Sequence, residues 1–412
     1  MQTFLADFIK DTPEGREADA ILRTCVHCGF CNATCPTYQL LGDELDGPRG
    51  RIYLIKQMLE GQSAGAKTQL HLDRCLSCRA CETTCPSGVR YGRLADIGRG
   101  LAERSIARPW SERVRRRLLR AVLPHPARFA SLLRAGRTLK PLLPAALRRS
   151  VPAPQRPGPW PPQRHARTML VLDGCVQPAL APHINAAAAR VLDRLGITLL
   201  RVPGAGCCGA ISYHTDAQPQ GLDFMRRLID AWWPHVEAGA EAVVVTASGC
   251  GALVKEYGQL LRHDARYAEK AARISALARD VGEILAGENR AALKTAARRR
   301  SAVAWHAPCT LQHAQKINGV VERLLQDAGY RLTPVPEAHL CCGSAGTYSL
   351  LQQDLSRRLL ERKLQALQSG APDVIVTGNI GCLIHLQREA RVPVRHWIEL
   401  LDEVTADAAR SA

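Results

Sequence analysis

Aromatic side chains are scarce in this chain, 5% of 412 residues with only five phenylalanines. That scarcity argues against a single-stranded nucleic-acid binder, whose bases stack on exposed rings. No run of about 18 apolar residues occurs, so no segment reads as a bilayer-spanning helix. No Gly-x-Gly-x-x-Gly opens a helix after a strand, and there is no P-loop, so a dinucleotide or nucleoside triphosphate lacks its usual cradle. The opening stretch MQTFLADFIKDTPEGREADA carries acids and lacks a basic start followed by an apolar run. The expectation is a chain that is not exported, in a reducing compartment where disulfides do not last.

Cysteine is present in excess. Sixteen thiols under reducing conditions point to metal. A chain of this length, about three domains at roughly 150 residues each, needs no cross-links to build a core. Eight of the cysteines fall in two matching runs, TCVHCGFCNATCP (Thr24 to Pro36) and RCLSCRACETTCP (Arg74 to Pro86). Both read Cys-x2-Cys-x2-Cys-x3-Cys-Pro, the spacing of two-cluster ferredoxins. Three closely spaced thiolates on one loop cap three irons of a cube, and the fourth, turned away by its proline, reaches the other cluster. This assigns Cys25, Cys28, Cys31 and Cys85 to one [4Fe–4S] cluster, and Cys35, Cys75, Cys78 and Cys81 to the second. Structural zinc typically closes on two Cys-x2-Cys pairs. It fits less well where each run already holds four thiols. His27, inside the first run, reads as a loop residue.

The other eight cysteines repeat at one period. TMLVLDGC ends at Cys175 and SAVAWHAPC at Cys309. A double cysteine follows in each copy, Cys207–Cys208 and Cys341–Cys342, and then a single one, Cys250 and Cys382. The offsets are 134, 134, 134 and 132 residues, which marks an internal duplication. Apolar β-branched runs alternate with helical stretches, Pro182 to Leu195 in one copy and Gln312 to Ala328 in the other. That alternation predicts α/β units with parallel strands and ligands gathered beyond the strand ends.

The net charge of +17 is concentrated in one segment. Between Leu101 and Thr168 there are sixteen Arg and Lys against two Glu. This stretch mixes leucines with arginines and ends in a segment with six prolines between Pro152 and Pro162, which excludes regular structure. Three readings stand: a face for an anionic membrane leaflet, a dock for an acidic partner subunit, or a solvated helical hairpin. A nucleic-acid role for the charge finds no supporting motif.

The Cys…Cys-Cys-Gly…Cys boxes resemble the CCG domain of heterodisulfide reductase and its relatives. That resemblance implies further iron–sulfur clusters held by Cys175, Cys207, Cys208 and Cys250, and by Cys309, Cys341, Cys342 and Cys382. The family motif ends Cys-x2-Cys, whereas here Leu253 and His385 stand at the last position. A five-ligand non-cubane centre, an ordinary cube and inert buried thiols therefore all remain open. His385 is able to coordinate and Leu253 is not, so the second copy is expected to hold a cluster more reliably. His306, His313 and His339 are read as structural. A self-sufficient disulfide reductase is disfavoured by the missing fifth cysteine.

Over nearly its whole length, and most closely in APCTLQHAQK, CCGSAGTYS and NIGCLIH, the chain resembles the iron–sulfur subunits of bacterial glycolate oxidases (glycolate dehydrogenases). Cousins serve anaerobic glycerol-3-phosphate dehydrogenase and lactate utilisation. The resemblance implies an α+β multi-domain chain with four parts. They are a helical ferredoxin-type domain with two [4Fe–4S] clusters (1–100), a basic Arg/Pro-rich helical connector (101–166), and a duplicated α/β CCG pair (167–300 and 301–412). It further implies flavin-containing partner subunits that oxidise glycolate or D-lactate. This chain would relay electrons toward a membrane quinone from a cytoplasmic position at the inner membrane, with no nucleic acid involved and no catalytic residue of its own. A hydroxy acid gives up two electrons together while a cluster carries one, and a flavin-fed relay resolves that mismatch.

Overall fold

Two short sequence signals shape the N-terminal part. Thr12 caps the helix Pro13–Thr24 by accepting the amide of Gly15 at 3.0 Å, and Pro13 occupies its first turn. The helix delivers the chain directly to Cys25. Between the cysteine runs, Pro48 starts the helix Pro48–Leu59, and Gly61 follows its end with φ 84°. The computed structural model of the protein describes residues 1–142, 144, 148, 151–289 and 301–411. The helix Tyr91–Ser105 runs across residue 100, where the sequence suggested a domain limit.

The connector forms two consecutive helices, Trp110–Val122 and Pro126–Thr138. Its end at residues 143, 145–147 and 149–150 lies outside the described residues. The proline segment has no helix or strand, and Trp160 pins it to the next domain by donating to the Leu199 carbonyl at 3.2 Å.

Each copy of the duplication builds a four-stranded parallel sheet. The first contains β1 (Arg167–Val171), β2 (Ile197–Leu200), β3 (Val243–Val245) and β4 (Ala278–Asp280), in the order β2-β1-β3-β4. The second contains β5 (Ala302–His306), β6 (Arg331–Leu332), β7 (Val374–Thr377) and β8 (Val394–His396), in the order β6-β5-β7-β8. All their pairings are parallel. The order reverses beside β1 and beside β5, which opens a crevice at the strand ends where the cysteines lie.

The copies meet helix against helix. His183–Arg194 of the first packs on Trp397–Ser411 of the second, and Val281–Gly287 of the first packs on Val320–Asp327 of the second. Arg190 and Arg194 both reach Asp402, at 2.6 and 2.9 Å. Ala186 to Ala189, buried on the first of these helices, permit the close approach. One apolar core therefore runs through both sheets. The boundary expected at 300/301 touches residues 290–300, which lie outside the described residues.

One predicted helix is broken. Where a single helix was expected from Gln312 to Ala328, a π-turn at Thr310–Ala314 precedes a helix at Val320–Asp327. Lys316 (φ 58°) and Gly319 (φ 72°), both left-handed, turn the chain between them. Asn318 and Gly319 carry the turn chemistry that outweighs the helical pattern.

Candidate iron–sulfur sites

The two ferredoxin-type runs fold alike, residue for residue. His27 and Ser77, each just before the second cysteine, have φ of 59° and 51°, and Gly29 and Arg79, just after it, have 86° and 63°. A non-glycine residue with positive φ is uncommon, so finding the same pair in both loops identifies a shared loop shape. The prolines act as expected. A residue before proline is pushed into extended backbone, and Cys35 (ψ 114°) and Cys85 (ψ 115°) both comply.

The structure gathers the thiols into two cavities. One is lined by Cys25, Cys28, Cys31 and Cys85 over Ile52 and Val89. The other is lined by Cys35, Cys75 and Cys78 beside Arg51. Cys81 and Tyr91 line both. Cys28 is exposed, whereas Cys25, Cys35, Cys78 and Cys81 are buried. Gly50 keeps the helix at the second cavity close to the loop, since a Cβ there would stand 2.2 Å from the Glu44 carbonyl oxygen.

The surroundings treat these thiols unequally. Burial, and then the charge of Cys25, push Cys31 up to about 11. Burial also raises Cys78 and Cys81 well above the ordinary thiol range. Cys75 goes the other way. Burial alone would raise it, but the guanidinium groups of Arg51 and Arg99, the Tyr91 hydroxyl at 3.5 Å and the Ser77 amide at 3.4 Å hold it below its usual value. Arg51 is itself 1% exposed and is held by the His71 carbonyl (2.7 Å), Thr37 and Asp46. Metal loading requires deprotonated sulfur, and a buried cation with N–H and O–H donors to sulfur favours that state.

Each quartet of the duplicated domains also comes together. In the first, Cys207 lies within hydrogen-bonding reach of Cys175 and Cys208, and Cys208 within reach of Cys250. Cys208, accepting from Cys207 and Cys250, sits well below the ordinary value. In the second, Cys309 and Cys341 stand 3.8 Å apart, and the hydrogen bond between them, then burial, raise Cys309. The glycine of each Cys-Cys-Gly box has a specific task. Gly209 (φ 91°) and Gly343 (φ 89°) turn their amides onto Cys207 Sγ at 3.3 Å and Cys341 Sγ at 3.5 Å. A Cβ at Gly209 would stand 2.6 Å from the carbonyl oxygen of Gly221, and one at Gly343 2.7 Å from that of Ser356, on the long helices Gln218–Glu237 and Gln353–Gln368. Asn379 adds a side-chain N–H to Cys382 Sγ at 3.4 Å.

Sequence reasoning missed one residue and misjudged another. His385, three residues after Cys382, does not join the thiols and instead meets Ser356 Oγ at 3.3 Å. Ser356 already donates to the Gly343 carbonyl at 2.8 Å, so it accepts from the His385 ring. His306, read as structural, is the histidine that does join them. A ring nitrogen of His306 and the sulfurs of Cys342 and Cys382 all lie within 4.8 Å of one another. Burial holds His306 down to about 3, so its ring is neutral. The signal was available in the repeat, where a histidine in the second copy replaces Leu172 at a strand end beside the cysteine. His313 and His339 are hydrogen-bonded to each other, Nε2 of the first to the carbonyl of the second at 2.9 Å.

The donor sets suit iron–sulfur groups: soft sulfurs in fours, cavity walls of apolar side chains, and N–H donors to sulfur. Comparison with known proteins agrees. Residues 21–89 match the 4Fe-4S dicluster domain, and residues 169–255 and 303–387 match the cysteine-rich domain CCG. These define an iron–sulfur oxidoreductase protein of dicluster-plus-tandem-CCG type. The glycolate oxidase iron-sulfur subunit of Escherichia coli (strain K12) is 58% identical over 404 residues, 98% of this chain and 99% of that protein. The chain belongs to the family of glycolate oxidase iron–sulfur subunits. A probable member from Bacillus subtilis (strain 168) is 29% identical over 89% of this chain and 88% of its own. Lactate utilization protein A of Bacillus licheniformis is 25% identical over 55% of this chain and 96% of its own.

Proposed function

We propose that this chain is the electron carrier of a glycolate- and D-lactate-oxidising complex, passing electrons from a flavin-containing partner toward a membrane quinone. The ligand sets are Cys25, Cys28, Cys31 and Cys85 for one [4Fe–4S] cluster, and Cys35, Cys75, Cys78 and Cys81 for the other. The quartets of the CCG domains, 167–300 and 301–412, hold one or two further iron–sulfur centres. A bound iron–sulfur cluster accepts and releases one electron at a time. The chain's own residues position, shield and charge these sites.

The observation that carries this reading is a continuity of thiols from surface to interior. Cys28 is exposed at one end, and Cys81 lines both N-terminal cavities. Cys78 then packs in one apolar cluster with Cys341 and Cys309 of the second CCG domain. Tyr348 of CCGSAGTYS completes that contact by donating to the Arg74 carbonyl at 3.1 Å. Apolar packing excludes water between neighbouring sites and fixes their separation.

The connector supports a peripheral attachment. Several of its arginines act internally: Arg108 and Arg116 reach Asp216 of the first CCG domain at 3.0 and 2.8 Å, and both also bind Asp73. Arg113, Arg115 and Arg117 are exposed, as are Trp110, Leu118 and Leu132 of the same helix pair. Such a basic and apolar face suits an anionic leaflet. Among the described residues no helix is long and apolar enough to cross a membrane.

The test is anaerobic purification with co-purifying subunits, followed by dye reduction with glycolate, D-lactate and glycerol-3-phosphate. Reduction with glycolate, lost when this chain is omitted, is the expected result. Activity with glycerol-3-phosphate alone overturns the substrate assignment.

A further inference from the structure

The two CCG sites differ by a consistent set of exchanges. At the offset of 134, Leu172 in the first copy takes the place of His306 in the second. The glycines after the double cysteines face Gly221 and Phe224 in the first copy, and Ser356 and Leu359 in the second. That offset of 135 sets Leu228 against Lys363. After the last cysteine of each quartet, Leu253 stands against His385. Three leucines of one site are a histidine, a lysine and a histidine in the other, and all six side chains are buried.

Buried polar groups need partners. Lys363 donates to the carbonyls of Glu337 at 3.0 Å and Ala338 at 3.3 Å, and His385 has Ser356. His306 is only half satisfied. Its Nδ1 lies 3.0 Å from Thr377 Oγ1, while its Nε2 is buried without a partner. The residue is 2% exposed, so that nitrogen is shut off from bulk solvent. The grouping of a His306 nitrogen with the sulfurs of Cys342 and Cys382 within 4.8 Å is close to what one metal ion needs. Metal–nitrogen bonds of about 2 Å and metal–sulfur bonds of about 2.3 Å bring such ligand atoms to roughly 4 Å.

We infer that His306 is a ligand of the iron–sulfur centre in the second CCG site, giving an imidazole nitrogen where the family motif gives a fifth thiolate. The inference rests on reading that site as iron–sulfur. With Thr377 accepting the Nδ1 proton, Nε2 presents its lone pair, the arrangement that orients a ligating histidine. A neutral ring in place of a thiolate leaves the site one negative charge poorer, and histidine-for-cysteine replacement raises the potential of an iron–sulfur centre.

The experiment is pulsed EPR on the full chain, prepared anaerobically with its own metal, from cells fed ordinary or 15N-histidine. The expected result is a strongly coupled nitrogen that changes with the isotope. It is lost in His306→Leu, which copies the first site, and in His306→Cys, which keeps a fifth ligand and the iron. His385→Leu leaves it in place, and the midpoint potential of the second site falls in His306→Cys. An isotope-insensitive signal, a coupling that survives both His306 variants, or a weak coupling with an exchangeable proton overturns the ligation. A second CCG site without iron defeats the underlying iron–sulfur reading as well, and the iron count separates that failure from the others.

Discussion

The hydroxyl of Tyr348 donates to the carbonyl oxygen of Arg74 at 3.1 Å, across 274 positions of sequence. It ties the loop after Cys341–Cys342 to the residue just before Cys75, so the second CCG site and a ferredoxin-type site share a hydrogen bond. Tyr348→Phe removes one part-buried hydrogen bond, an expected loss of about 1 kcal/mol. Urea unfolding measures it. Both N-terminal sites keep their iron, because no thiol has moved.

The crossed assignment of the fourth cysteines separates two variants. Cys85→Ala is expected to lose about four irons, from the site of Cys25, Cys28 and Cys31. Cys35→Ala is expected to lose about the same number from the site of Cys75, Cys78 and Cys81. Iron analysis with low-temperature EPR distinguishes them. If each variant empties the site of its own run instead, the crossing is wrong.

Arg51 is a buried cation at the second cavity, with Nη1 4.0 Å from Cys35 Sγ. A positive charge there favours the reduced, more negative state of whatever the thiols hold. Arg51→Met is expected to lower the midpoint potential of that site by on the order of 50 mV, allowing for partial compensation by Asp46. Asp46 keeps Arg74 at 2.8 Å and His71 at 3.0 Å, so it is not stranded. An EPR-monitored redox titration reads the shift.

His214 and Asp96, 3.0 Å apart, join the first CCG domain to the helix Tyr91–Ser105. Burial works against the charge on His214, but Asp96 outweighs it and holds the histidine above its ordinary 6.5. Asp96 likewise sits below its ordinary 3.8 despite burial, through His214. A histidine raised in the folded state gives stability that is complete below its unfolded value and is lost as pH rises through the folded value. The depressed aspartate gives stability that is lost as pH falls through its folded value. The urea midpoint is therefore expected to decline from about pH 6.5 upward, and to decline less in His214→Gln. Equal slopes for both proteins contradict the pairing.

Much of this was legible in the chain. The two ferredoxin-type runs specify their own loop shape, because spacing and proline act locally. The strands β1, β3, β5 and β7 are short, largely apolar runs that end just before cysteines. Less visible are β4 and β8, three residues each, which exist because a parallel neighbour completes their hydrogen bonds. The packing of helices between copies was also hidden, since it depends on which apolar faces meet. His385 looked like a ligand because it lies three residues from Cys382 on one helix, yet Ser356 of another helix holds it. His306 is far from Cys342 and Cys382 in sequence, and the pairing of β5 with β7 brings it near.

The central claim is that thiols at both ends of the chain hold iron–sulfur groups that carry single electrons. Iron and acid-labile sulfide analysis of anaerobically prepared chain, combined with EPR during stepwise reduction, tests it most directly. The account predicts more than about eight irons per chain, with signals from two cubes and from the CCG sites. Colourless protein holding zinc, silent in EPR after reduction, contradicts it.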